Sequence, residues 1–380
     1  MSLFFLFIFL IYGGVHAYAF LRARIAFAFG YAAGAVLAAF MLLMVLAPAL
    51  IRALEQYDYE VPARALSYLA YFWMAALFLF FCGSVVLDIV NLVIRAAGWL
   101  TRSGSSSYLI PGGTSFLISL GLSLAVCIYG YFEALNIRTE RVRVETAKLP
   151  PNLDRLTIAQ ITDVHLGMII RSDRLEKMLE AVKAAKPDIF ISTGDLVDAQ
   201  INHMVGLAEL LRGVKTKYGS YAITGNHEYY AGLDKSLAFT KEAGFTVLQN
   251  QTVSAGPINL AGVDDRTAVL LKLEKPISER ELLSGLPHGR FTLFLKHQPR
   301  IDKSTIGLFD LQISGHTHKG QIFPFTLLTR FFFPLNAGTY DLGSGSLLHV
   351  SRGTGTWGPP IRFLAPPEVT IYEIVRKTTS

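Results

Sequence analysis

The chain has 380 residues, more than one hydrophobic core usually serves, and a formal net charge of +6. With 52% hydrophobic residues and a mean hydropathy of +0.40, it is too apolar for a wholly soluble protein. Its two cysteines, Cys82 and Cys127, lie inside apolar runs, which excludes a thiolate metal site or a disulfide framework in the polar part. No basic stripe interleaved with aromatics argues for a nucleic-acid partner.

Arg22, Arg24, Arg52, Arg64, Arg95 and Arg102 are the basic residues before position 138, and the first lysine is Lys148. Four apolar stretches occupy this region: Leu3 to Leu21, Ile25 to Ile51, Ala65 to Val86 (at most to Ile94) and Leu109 to Leu135. Each reaches the roughly 18 residues needed to cross a bilayer, so residues 1–137 read as a membrane domain of about four transmembrane helices. Ala17-Tyr18-Ala19 also resembles a signal-peptidase site, but no basic residue precedes it and a second apolar run follows almost at once. The first and third links between runs carry four arginines and the second carries two, which places the polar domain outside the cytoplasm of a cell with an inner membrane. Arg138, Arg141, Arg143 and Lys148 just after the last run point the other way. Asp88 and Glu133 are either functional polar groups or side chains that snorkel to the interface, and His16 reads as a helix-facing or interfacial histidine.

Residues 138–380 form the second expected domain. From Arg141 short β-rich runs alternate with amphipathic stretches. Strands are expected at Leu156 to Ile161, Ile189 to Ser192, Tyr221 to Thr224, Phe291 to Leu295 and Leu311 to Ser314, with helices at Asp173 to Ala185 and Met204 to Leu211. This alternation reads as an α/β fold with largely buried strands.

Each strand is followed by a turn that carries oxygen or imidazole donors. These turns are Asp163-Val164-His165, Gly194-Asp195-Leu196-Val197-Asp198, Gly225-Asn226-His227-Glu228, Lys296-His297 and Gly315-His316-Thr317-His318. Open α/β sheets place their sites at the carboxyl ends of strands. Carboxylate, imidazole and amide donors without thiolate suit a pair of Mn, Fe, Zn or Ni ions better than a structural zinc. Two such ions neutralise a phosphate and clamp the attacking and leaving oxygens of its hydrolysis.

The ordered series Asp-x-His, Gly-Asp-x-x-Asp, Gly-Asn-His-Glu, a lone His and Gly-His-Thr-His resembles the calcineurin-like metallophosphoesterases over roughly residues 150 to 375. The tail Ser351 to Pro360 resembles a bacterial, envelope-associated branch. The resemblance implies an α/β sandwich of two sheets flanked by helices, here preceded by a transmembrane bundle. It further implies that Asp163, His165, Asp195 and His318 hold one metal, and that Asp195, Asn226, His297 and His316 hold the other with Asp195 bridging. His227 is then the candidate general acid, with Glu228 orienting it and Asp198 as an outer partner. Lys319 stands where this branch often has Gly; it is either a phosphate contact or a solvated side chain. His203, His288 and His349 read as surface or packing residues.

The function expected is a membrane-anchored, two-metal hydrolase of a lipid-linked or envelope phosphate, phosphodiester or pyrophosphate. A pyrophosphatase of nucleotide-linked acylated sugars and a non-catalytic metal-binding scaffold or sensor are the alternatives. Ile322 to Phe333, rich in Phe and bounded by Pro324 and Pro334, shows no clean period of 2 or 3.6. It is expected either to form an apolar lip toward the bilayer or to pack inside the soluble domain or against the transmembrane helices.

Overall fold

The computed structural model describes residues 3–102, 106–198 and 204–377, so His203 lies outside the described residues. The chain divides into two compact units, Met1–Phe132 with Gly358–Ile361, and Glu133–Trp357 with Arg362–Ser380.

The first part of the chain is helical: α1 (Leu3–Phe27), α2 (Tyr31–Gln56), α3 (Glu60–Thr101) and α4 (Gly112–Leu135). Of these, α2, α3 and α4 are long and apolar enough to cross a membrane. Their outward faces remain apolar, as at Leu92 and Leu117, which suits helices solvated by lipid. Several boundaries differ from the expectation: α2 runs on to Gln56, α3 starts at Glu60 and α4 at Gly112. Ile25 to Phe27 continue α1, because the chain breaks only at Ala28, in the left-handed region at φ 47°, ahead of Gly30. The third run grows into a 42-residue helix that takes Arg95 into its last turns.

Several polar groups among these helices are paired. Asp88 accepts from the Tyr18 hydroxyl at 2.7 Å and from Arg22 at 2.8 Å, and Arg22 also donates to Ser115 at 2.6 Å. An ionised group away from water is costly unless it is paired in this way. Trp73 Nε1 donates to His16 Nε2 at 2.9 Å, so the other ring nitrogen, 2.8 Å from Tyr12 O, carries the proton. Glu133 pairs with Arg138 at 2.6 Å.

The second unit is built on strands β1 (Arg138–Thr146), β2 (Arg155–Ile161), β3 (Ile189–Ser192), β4 (Ser220–Ala222), β5 (Thr246–Val247) and β6 (Gln251–Ala255), then β7 (Ile258–Gly262), β8 (Thr292–Leu295), β9 (Leu311–Ser314), β10 (Gly338–Gly343), β11 (Ser346–Val350) and β12 (Glu368–Arg376). They form two six-stranded sheets, ordered β1-β12-β2-β3-β4-β5 and β10-β11-β9-β8-β7-β6. Within the first, β2 to β5 are parallel; within the second, β7, β8, β9 and β11 are parallel. Alternate residues of both sheets meet in one core, with Ile158, Ile191 and Ile374 from the first and Leu260, Leu293 and Ile313 from the second. Every residue of β3, β8 and β9 is buried, the mark of strands covered on both faces.

The connecting helices are α5 (Ser172–Ala184), α6 (Leu207–Arg212), α7 (Asn226–Ala231), α8 (Leu233–Glu242), α9 (Thr267–Leu270), α10 (Glu279–Ser284) and α11 (Phe325–Phe332). The expected helix at Met204 starts three residues late, because Gly206 takes a left-handed φ of 79° and cannot open it sooner. The expected strand at Tyr221 to Thr224 ends at Ala222, where the chain turns to begin α7 at Asn226. Within the Ile322 to Phe333 run, Phe325–Phe332 form α11, none of whose residues is buried, so the helix is not core, whereas Ile322 ahead of it is buried.

Candidate metal centre

Because β2, β3 and β4 run parallel, as do β8 and β9, their carboxyl ends gather five turns at one place. Backbone hydrogen bonds tie the turns together. Asp163 N donates to Gly194 O and His165 N to Asp195 O, each at 3.0 Å, while Gly355 N from the tail donates to Asp163 O at 3.0 Å. Asp163, His165, Asp195, His316 and His318 all take φ between 47° and 70°. Non-glycine residues in that region carry strain of about 1–3 kcal/mol each and gather at functional sites.

Six of the seven residues expected to hold metal, all but Asn226, converge by measured distances. His165 Nε2 and His318 Nε2 are 3.0 Å apart, and His318 Nε2 lies 3.5 Å from Asp163 Oδ1. On the other side, His316 Nδ1 lies 3.2 Å from His297 Nε2, which is 3.2 Å from Asp195 Oδ2. The same Oδ2 is 3.9 Å from His165 Nε2, so one carboxylate oxygen faces both groups. Asp163, His165 and His318 form one set able to hold a cation, and Asp195, His297 and His316 form another. His165, Asp195 and His227 make a third such set, but Nδ1 of His227 is already engaged by Asp198 at 3.0 Å.

Several features of this chain fit two cations. Asn226 Oδ1 is buried with no hydrogen-bond partner, an arrangement that is expensive in a native interior unless a ligand supplies the partner. His297 Nδ1 donates to Thr193 O at 2.8 Å, so Nε2 is the nitrogen turned toward Asp195. Burial, with His227 beside it, lowers His165 to about 3. Burial and then Arg362 hold His318 well below its usual value. Both imidazoles are therefore neutral, the form that binds metal.

The surroundings hold the donors in place. His316 N donates to both oxygens of Asp163, at 2.9 and 3.0 Å, and Thr162 Oγ1 donates to the same carboxylate at 2.8 Å. A Cβ on Gly225 would collide with the Asp195 carboxylate, so only glycine lets the β4 turn approach this closely. Glu228 does not touch the His227 ring. Its carboxylate accepts from the amides of Asp195, Leu196, Val197 and Gly225, at 2.9, 2.8, 3.4 and 2.7 Å. Adjacency along the chain suggested that it orients His227, but in the first turn of α7 its side chain reaches back to the orphan amides instead, and Asp198 is the ring's partner. Lys319 lies in the turn after His318, part-buried, with Arg352 among the charges around it. His288 is exposed. His349 is buried in β11 and is 2.8 Å from Thr339.

Two parts of the site carry no sequence motif. Arg362 is fully buried in the tail, donates to His318 O and Arg352 O at 3.1 and 2.7 Å, and lies 3.1 Å from His318 Nδ1. Its signal was a lone arginine between Ile361 and Phe363 in the Pro-rich tail. A cavity of about 280 Å³ adjoins the centre at His297, lined also by Asp265, Arg266, Lys296 and Arg300.

Two mixed sheets with helices, a cluster of strained turns and paired buried His/Asp sets define a metal-dependent phosphoesterase. The family described as calcineurin-like phosphoesterase matches residues 156–320. A protein of Aquifex aeolicus, called an uncharacterized metallophosphoesterase, is 38% identical over 252 residues, spanning 66% of this chain and 96% of that one. An uncharacterized metallophosphoesterase of Campylobacter jejuni is 31% identical over 313 residues, 81% of each chain. A Danio rerio protein called a transmembrane protein with metallophosphoesterase domain is 29% identical over 291 residues, 73% of this chain and 67% of its own. The chain belongs to the calcineurin-like metallophosphoesterase family.

Proposed function

We propose that the protein is a membrane-anchored phosphoester hydrolase with two divalent metal ions, acting on a phosphate, phosphodiester or pyrophosphate linked to lipid or cell envelope. In this reading residues 1–137 anchor the chain in the bilayer and residues 138–380 catalyse. Asp163, His165, Asp195 and His318 hold one ion; Asp195, Asn226, His297 and His316 hold the other. The observation that carries it is the position of Asp195 Oδ2 between His165 Nε2 and His297 Nε2.

When bound, the ions neutralise the phosphate and supply a nucleophile at neutral pH. The chain's own part is to position and to move a proton. His227, fixed through Nδ1 by Asp198, gives the proton from its other nitrogen to the departing oxygen. The adjoining cavity, lined by Arg266 and Arg300 together with Asp264, Asp265, Glu274 and a Lys296–Glu279 ion pair at 2.6 Å, gives room for the rest of the substrate. Supplying Mn, Fe, Zn or Ni to metal-free full-length protein, then measuring hydrolysis of an aryl phosphodiester, tests this reading. Turnover that depends on two equivalents supports it, and none with any of the four metals contradicts it.

A further inference from the structure

At 100° per residue, Phe325, Leu327, Leu328, Phe331 and Phe332 share one side of α11, and Thr326, Thr329 and Arg330 share the other. A helix on a soluble domain turns such an apolar face inward. Here the arrangement is reversed. Leu327 is 62%, Phe331 79% and Phe332 61% exposed, while Thr326 and Thr329 are half-buried. The threonine side sits on the turn after His318: Thr326 Oγ1 donates to Lys319 O at 2.9 Å, and a Cβ on Gly320 would strike the Thr326 backbone. Just past the helix, Phe333 stands edge-on to His316 with ring centroids 5.0 Å apart, and the Arg300 guanidinium lies 4.9 Å from the same ring. The helix is thus fixed to a metal-centre turn by its polar side and its last aromatic, with its apolar face outward.

We propose that α11 is an interfacial membrane helix whose apolar face lies among the headgroups and upper acyl chains of the bilayer, so that the metal centre borders lipid. Lipid is the occupant that this chain itself supplies: α4 ends at Leu135 and β1 begins at Arg138, so a domain following that helix cannot leave the membrane surface far behind. The charge agrees, because Gln321 to Phe333 contains no acid and carries Arg330, with Lys319 just before it, the pattern that anionic headgroups attract. A contiguous exposed patch of large apolar side chains marks an interaction surface. The inference rests on the membrane anchoring proposed above, and it narrows the substrate to a phosphoester whose apolar part stays in the bilayer.

The test uses full-length protein in lipid nanodiscs, with Cys82 and Cys127 replaced by Ala and an environment-sensitive fluorophore on a single introduced cysteine. L328C and F331C probe the helix; V205C, at a residue 96% exposed in the second unit, and V86C, on the outside of α3, are the controls. Metal content of each variant checks that the domain has folded. Doxyl-labelled phospholipid is expected to quench L328C, F331C and V86C several-fold more than V205C, with iodide showing the opposite order. If L328C and F331C stay as open to iodide as V205C while V86C is quenched by lipid, the helix faces water and the proposal fails with the anchoring intact. Protection from both quenchers means that protein covers the face, which overturns it equally. If V86C itself escapes lipid quenching, the anchoring and the proposal fall together.

Discussion

Nδ1 of His227 lies 3.0 Å from Oδ1 of Asp198, and a carboxylate accepts, so the ring nitrogen donates. Burial pulls the His227 pKa down, but Asp195 first, then Asp198 and Glu228, outweigh it and raise it to about 9. Once cations occupy Asp195, Asp198 remains as the carboxylate on the ring that favours its protonated form, and a general acid loses activity as pH rises through its pKa. Asp198→Asn removes one of the raising charges, so the alkaline limb of kcat/KM should move to lower pH while the rate below it is retained. A limb that does not move would place the titrating group elsewhere.

Removing the acid itself should be more severe. His227→Gln is expected to keep its metal and to slow an aryl phosphodiester with a poor leaving group by about a hundredfold. With a good leaving group the loss should shrink, because less proton transfer is needed. Steady-state rates across a series of substituted phenyl esters read this directly, and an equal loss for every leaving group would return His227 to a structural role.

Glu228 supports a different prediction. Its carboxylate satisfies the amides that shape the Asp195 turn, so Glu228→Ala leaves several buried donors unpaired at a cost on the order of 3 kcal/mol. Thermal melting should show a clear drop, and metal content should fall with it. A variant that melts like the parent and keeps its metal would show that the turn holds its shape without this brace.

The motif turns were legible because each pairs a buried strand with donors that have no reason to sit at a strand end other than a site. Asp163, Asp195 and His316 announce themselves in this way, and β3 and β9 match the expected bounds because each short run ends directly at its motif turn. What stayed hidden depends on the third dimension. The Glu228 side chain turns toward the amides of the β3 turn, 31–33 residues away in sequence. β12 pairs in parallel with β1, although about 220 residues separate them in sequence. The period of α11 was masked because Ile322 and Phe323 precede the helix and Phe333 follows it, so apolar residues flank a pattern that is clean only within Phe325–Phe332.

Arg362, which no motif marked, should behave as a positioning residue. Its fully buried guanidinium binds several backbone carbonyls at once and lies against His318, a fork that lysine does not reproduce. Arg362→Lys is therefore expected to lower the melting temperature and weaken the binding of one ion, and Arg362→Met to do so further, by about 3 kcal/mol in stability. Metal titration alongside melting checks both, and a lysine variant with parental metal affinity would remove Arg362 from the site.

The most direct test of the account is the metal content of Asp195→Asn against Asn226→Ala. Asp195 Oδ2 faces both imidazole groups, whereas Asn226 is proposed as a ligand of one ion only. Elemental analysis of the purified full-length proteins should find about two equivalents of transition metal in the parent, with both lost from Asp195→Asn and one weakened in Asn226→Ala. An Asp195→Asn protein that still holds two equivalents would contradict the bridged two-metal centre.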